Sequence, residues 1–169
     1  MGGNMSIIIQ QLPPQSWQTY RTIRLEAIKT DPQAFCATYQ EELERTESQW
    51  CNFLPNMWFA MDNDQAVGMI GLLQDTGSAG RHRAHLVSFW VKPTYRGQKI
   101  GKQLVHHLQQ LAPERGIKKI YLHVTITQKN AVRLYESLGF TKVGILKNNT
   151  YCNGSYLDTC LMEWHAPLT

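Results

Sequence analysis

Val91-Lys92-Pro93-Thr94-Tyr95-Arg96-Gly97-Gln98-Lys99-Ile100-Gly101-Lys102 leaves an apolar run, turns through a basic loop with two glycines, and enters a helical period. The run before it, His85–Val91, is β-rich and is ended by Pro93. After it, Ile100, Leu104, Leu108 and Leu111 recur at helical spacing. They predict an amphipathic helix of about four turns closing near Gly116. A helix start offers unpaired N–H groups and a partial positive charge, so it binds anions readily. Gly97 and Gly101 let an anion approach the backbone, while Arg96, Lys99 and Lys102 add charge. An ordinary strand-to-helix turn with solvated lysines fits this segment equally well.

Working outward, Ser6–Leu12 reads as a first strand stopped by Pro13-Pro14. Ser16 is placed to cap a helix running to about Lys29, and Thr38 with Glu41 forms a capping-box pattern for a second helix over Tyr39–Arg45. Met57–Met61 and Ala66–Leu73 read as strands joined by a turn at Asp62-Asn63-Asp64. Ile117–Ile126 suits a buried central strand. Ala131, Leu134, Tyr135 and Leu138 share a helix face that stops at Gly139. Phe140–Leu146 and Ser155–Glu163 read as a closing hairpin around Asn153-Gly154. The order predicts an α/β fold, a mixed sheet with helices on both faces.

The 169 residues suit a single domain, and no repeat or linker divides them. Hydrophobic residues make up 43% and charged residues 18%, which excludes disordered and collagenous classes. No apolar run reaches about 18 residues, and no secretory pattern opens the chain, so the expected setting is cytoplasmic and away from membranes. The four cysteines, Cys36, Cys51, Cys152 and Cys160, lack zinc or redox spacing and read as reduced packing residues; no metal is expected. A net charge of +4, spread along the chain, suits an anionic ligand. Nucleic acid is the rival partner, but no helix-turn-helix, zinc pair or aromatic RNA-binding pattern supports it.

The loop has neither the Walker spacing nor the dinucleotide G-x-G-x-x-G spacing. It resembles motif A of the GNAT acetyltransferases, V-x-P-x-x-R-G-x-G-I-G, which holds the pyrophosphate of coenzyme A. Ala131, Leu134-Tyr135 and Gly139-Phe140 resemble the same family's A-x-x-L-Y-x-x-x-G-F signature. The resemblance covers about residues 57–162 and implies the acyl-CoA N-acyltransferase fold, with a mostly antiparallel sheet splayed between its fourth and fifth strands. It implies acetyl-CoA as cosubstrate and a primary amine of a small molecule or peptide as acceptor, joined in a ternary complex. The pantetheine arm is then expected along Phe89, Trp90 and Val91, and the pyrophosphate on Arg96, Gly97, Gln98, Lys99, Ile100, Gly101 and Lys102.

Two positions depart from the family pattern. Lys99 stands where a third glycine is usual, which a helical φ would accommodate. Gln128 stands where the family has asparagine, and Asn130 is close enough to replace it. By resemblance Tyr135 is the general acid for the thiolate; a core tyrosine is the alternative. Five residues before Gln128 lies His123, on the side of its strand opposite Leu122 and Val124, with a pKa suited to a base. A structural histidine is the alternative there, and His82 and His85 are competitors. Phe35, Tyr39, Glu41, Glu42, Glu44, Trp50, Phe53, Tyr151 and Tyr156 are the candidates for acceptor selection, with a charged solvated helix face as the commoner explanation for Glu41–Glu44. A non-catalytic acyl-CoA-binding module is the rival function, and a homodimer is compatible with the sequence.

Overall fold

The computed structural model describes residues 6–35 and 37–168. Strands β1 (Ile7–Gln10), β2 (Met57–Asp62), β3 (Gln65–Gln74), β4 (Arg83–Val91), β5 (Lys119–Thr125), β6 (Thr141–Cys152) and β7 (Ser155–His165) form one sheet, ordered β1-β2-β3-β4-β5-β7-β6. Only β4 and β5 run parallel; the other neighbours are antiparallel. The helices are α1 (Trp17–Thr30), α2 (Tyr39–Leu43), α3 (Glu47–Phe53), α4 (Ile100–Glu114) and α5 (Lys129–Ser137). A parallel pair needs a crossover, and α4 supplies it between β4 and β5.

Both faces of the sheet are covered. Ile100, Leu104 and Leu108 of α4 and Val132 of α5 pack on Ala84, Leu86, Ile120 and Leu122. Tyr20, Ile23 and Ala27 of α1 and Trp50 of α3 pack on Met57, Phe59, Met69 and Trp90. Leu104 and Leu108 are fully buried, which stabilises the fold by about 1.5–3 kcal/mol each. Gly116 and Gly139 follow α4 and α5 with φ of 70° and 87°, as expected of C-terminal caps.

The local signals hold in most places. The Thr38 box forms, with the Glu41 N–H donating to Thr38 Oγ1 at 3.3 Å and the Thr38 N–H to Glu41 Oε2 at 2.9 Å. It starts a helix shorter than expected, because a second box at Thr46 and Gln49 opens α3. Ser16 precedes α1 but makes no side-chain capping bond. The last hairpin turns at Asn153-Gly154, both at positive φ, but β6 extends to Cys152 rather than ending at Leu146, through two register shifts.

The β4–β5 pairing covers three positions, Arg83 with Lys119, Ala84 with Ile120 and His85 with Tyr121, and then the strands part. β4 also carries one extra residue. Val87 lies opposite Gly71 while Trp90 lies opposite Met69, and Ser88 between them has φ of 55°. This bulge reverses the alternation: Leu86 faces α4, whereas Trp90 faces α1. Among the described residues Cys51, Cys152 and Cys160 are free thiols, and Cys36 lies outside them. Among the described residues no helix is long and apolar enough to cross a membrane.

Candidate active site

Where β4 and β5 part, a cavity of about 790 Å³ passes through the sheet. One end is the loop from β4 into α4. Arg96, Gly97, Lys99, Ile100, Gly101 and Lys102 line it, joined by Gln128 and Asn130 at the start of α5. Its waist is formed by Phe89, Trp90 and Val91 of β4 with Leu122, His123 and Val124 of β5, and Tyr135 of α5. The structure therefore brings together every residue expected to bind the cofactor or act in catalysis except Gln98, which does not line the cavity.

Three details of the loop differ from the sequence reading. Lys99 does not take a helical φ: it stands just before α4 in the left-handed region, at φ 64°, a conformation that favours glycine. The Arg96 guanidinium is already engaged, with Nη2 donating to Asp31 Oδ2 at 2.7 Å and Nε to the Val91 carbonyl at 2.9 Å. Lys99 and Lys102 are both exposed. Gly101 is needed for packing as well as for access, since a Cβ there would lie 2.9 Å from Phe89 Cζ. Gly97, at φ 79°, has open space around it.

Tyr135 is buried between Phe89 and Phe140, at ring-centroid distances of 5.7 and 5.5 Å. Among the described residues its hydroxyl has no hydrogen-bond partner, and the residue lines the cavity. Burial pushes the phenol far above its ordinary pKa, so it keeps its proton at neutral pH.

His123 projects from β5 on the face opposite the α4 core, which holds Leu122 and Val124. Its ring meets His85 edge-on at 5.4 Å, and His85 stacks on Tyr121 at 4.8 Å. Partial desolvation lowers the pKa of His123; burial and the neighbouring His123 charge lower that of His85. Both imidazoles are thereby favoured in the neutral, proton-accepting form. His82 sits in the preceding turn, where its carbonyl accepts from the Lys118 N–H at 2.6 Å.

Asp31, bonded to Arg96, also lines the cavity, and its opposite end is formed by Gln33, Ala34, Ser88, Thr125, Thr150 and Thr159. None of these was legible in the sequence, because they come from a turn, a bulge and three strands distant along the chain. None of the residues expected to select the acceptor (Phe35, Tyr39, Glu41, Glu42, Glu44, Trp50, Phe53, Tyr151 and Tyr156) lines the cavity, and Phe35, Glu42 and Trp50 are core residues. Glu42 is held by Arg24 and Arg45 at 3.4 and 3.0 Å, which overturns its reading as part of a solvated face.

A family model described as the acetyltransferase (GNAT) family matches residues 17–140. This chain belongs to the GNAT acetyltransferase family. Human N-acetyltransferase 8B is 31% identical over 157 residues, covering 92% of this chain and 63% of that protein. Rat N-acetyltransferase 8 is 38% identical over 89 residues, 52% of this chain and 40% of that protein. The chain thus spans less than two thirds of the length of these relatives. A GNAT-family acetyltransferase from Streptococcus pneumoniae superposes with a TM-score of 0.84 at 19% identity, covering 95% of this chain and 99% of that one. A Salmonella typhimurium protein solved with its cofactor acetyl-CoA gives 0.83 at 16% identity, covering 97% and 96%. These likenesses establish the GNAT fold, and acetyl-CoA is the family's acyl donor. The site suits it: a helix start of the kind that attracts anions leads into a gap walled by an unpaired strand edge.

Proposed function

We propose that this chain is an acetyl-CoA-dependent N-acetyltransferase acting on a primary amine of a small molecule or peptide in a ternary complex. The observation that carries the proposal is the cavity itself. It joins a helix start that suits a pyrophosphate to a protonated Tyr135 hydroxyl, and opens on the far side of the sheet. Acetyl-CoA supplies an acyl group activated as a thioester. The edge of β4 at Phe89, Trp90 and Val91 has no β5 partner, so its backbone groups can hold the pantetheine amides as an added strand does. A β4 N–H near Val91 donates to the acyl carbonyl oxygen and holds the charge that gathers there.

His123, neutral at pH 7, takes the proton that the attacking amine must lose as the N–C bond forms. Tyr135 gives its proton to the sulfur as the C–S bond breaks. The amine enters from the end lined by Gln33, Thr125 and Thr159. Two exposed ammonium groups, Lys99 and Lys102, flank the pyrophosphate end, and Gln128 or Asn130 offers an amide to the cofactor arm. The test is release of free thiol from acetyl-CoA with a panel of primary amines. Release with at least one amine, with acetylation at nitrogen by mass spectrometry, is expected. Tight acetyl-CoA binding with no transfer to any amine would instead favour a non-catalytic acyl-CoA-binding module.

A further inference from the structure

Arg24 lies in α1 and is only 8% exposed. Its Nη1 donates to Ser88 Oγ at 2.8 Å, across 64 residues of sequence. Its Nη2 meets Glu42 Oε1 at 3.4 Å, and its guanidinium lies 4.8 Å from the centre of the Phe35 ring. Ser88 is the residue at φ 55° in the β4 bulge, and it lines the cavity. Phe35 directly follows Gln33 and Ala34, which line the cavity from the other side.

This ion pair is a poor device for stability alone. Desolvating two charges offsets much of their attraction, and here Arg24 Nε and Glu42 Oε2 have no hydrogen-bond partner among the described residues. A left-handed serine is also unfavourable by about 1–2 kcal/mol and persists only where its surroundings hold it. The two features meet at one hydrogen bond. We infer that Arg24, oriented by Glu42, is a positioning residue: it holds Ser88 in the bulge and so aims the backbone of Phe89–Val91 at the acyl carbonyl. The anchor links the acceptor-side turn to the strand that grips the acyl donor. This inference rests on the acetyltransferase reading of the same cavity.

The experiment uses acetyl-CoA labelled with ¹³C at its carbonyl, and needs no knowledge of the amine. In the wild type, the infrared carbonyl band is expected to move on binding, as a directed N–H polarises the bond. Arg24→Met keeps the buried stem and removes the guanidinium. Its band is expected to return toward the position in water, with acetyl-CoA affinity falling about tenfold. Adding Ser88→Gly to Arg24→Met is expected to restore the wild-type band, because glycine holds φ 55° without an anchor. A merely structural arginine predicts no such rescue.

A folded Arg24→Met protein with an unchanged band, or a double variant no nearer to wild type than the single one, overturns the inference. If Arg24→Met does not fold, Ser88→Ala takes its place: the hydroxyl goes while the Cβ keeps the strain, and an unmoved band overturns the inference equally. Wild type that does not bind acetyl-CoA overturns the acetyltransferase reading, and this inference with it. Wild type that binds while every variant keeps its band overturns the anchoring role alone.

Discussion

The two ends of the cavity are built in opposite ways. The end at α4 comes mainly from one unbroken stretch, Val91–Lys102, to which Gln128 and Asn130 add, and its shape is local: a strand end, a turn at Gly97 and a helix start. The other end is gathered from Gln33, Ser88, Thr125 and Thr159, which meet only after the sheet has formed. A binding surface made of backbone N–H groups needs a short motif and little else. A surface that selects an acceptor by side chains draws on whatever elements converge there. Substitutions at the two ends should therefore separate acyl-donor binding from acceptor binding, with Tyr135 and His123 between them affecting the chemical step.

The largest effect is expected at the waist. Tyr135→Phe leaves the ring packed on Phe89 and Phe140 but removes the hydroxyl, so kcat should fall by about 10² to 10⁴-fold while acetyl-CoA affinity and the melting transition hold. Rapid-quench kinetics beside calorimetry gives both numbers, and a kcat within threefold of wild type would leave Tyr135 a packing residue.

His123→Ala should lower kcat/KM by about 10²-fold and change the pH profile. Its folded pKa lies below the ordinary value of 6.5, so the base is charged and idle only below that depressed value. The wild-type rate should rise with pH through a limb on the acid side of 6.5 and then level off. The variant should lose that limb. Two amines of different pKa must be compared, because a limb that follows the amine would acquit the histidine.

Gly101→Val should act at the α4 end alone. Its Cβ meets Phe89 Cζ at 2.9 Å and Leu134 Cδ2 at 3.4 Å, so overpacking should cost about 1–3 kcal/mol of stability and displace the β4 edge. Acetyl-CoA affinity should drop about tenfold by calorimetry. Thr159→Val is its counterpart at the far end: it removes the acceptor of the Asn149 amide donor at 2.9 Å. The amine KM should rise by about threefold or more with acetyl-CoA affinity unaltered, in keeping with about 1 kcal/mol for one hydrogen bond. If both variants change the same constant, the division between the two ends is wrong.

The smallest effect is expected from Lys99→Gly. Glycine takes φ 64° without strain, so the melting point should rise by about 2–4 °C for roughly 1 kcal/mol.

What the sequence shows follows from this same contrast. Ile100, Leu104 and Leu108 announce α4 through their spacing, and Tyr135 and His123 could be placed by counting from local motifs. The two capping boxes are equally local, yet only the one at Thr38 and Glu41 entered the sequence reading, and α3 was missed. Glu42 was read as solvated because its neighbours are charged, whereas its partner Arg24 lies 18 residues earlier on another helix. Arg96 was assigned to phosphate, but the residue that claims it, Asp31, stands 65 positions away and carries no local mark. The Ser88 bulge has no glycine to betray it. Long-range polar pairing sets these positions, and spacing rules do not report it.

The three-pair contact between β4 and β5 has a mechanical meaning. The strands from β1 to β4 and those from β5 to β7 form two plates stitched along one short seam, with a wedge open above it. A molecule seated in the wedge serves as a structural strut, bonding both plates where their own backbones cannot reach each other. Saturation at about 100 times Kd should then stabilise the folded state by about 2.7 kcal/mol. Slowed amide exchange should be concentrated on residues 86–91 and 122–125, the lips of the wedge.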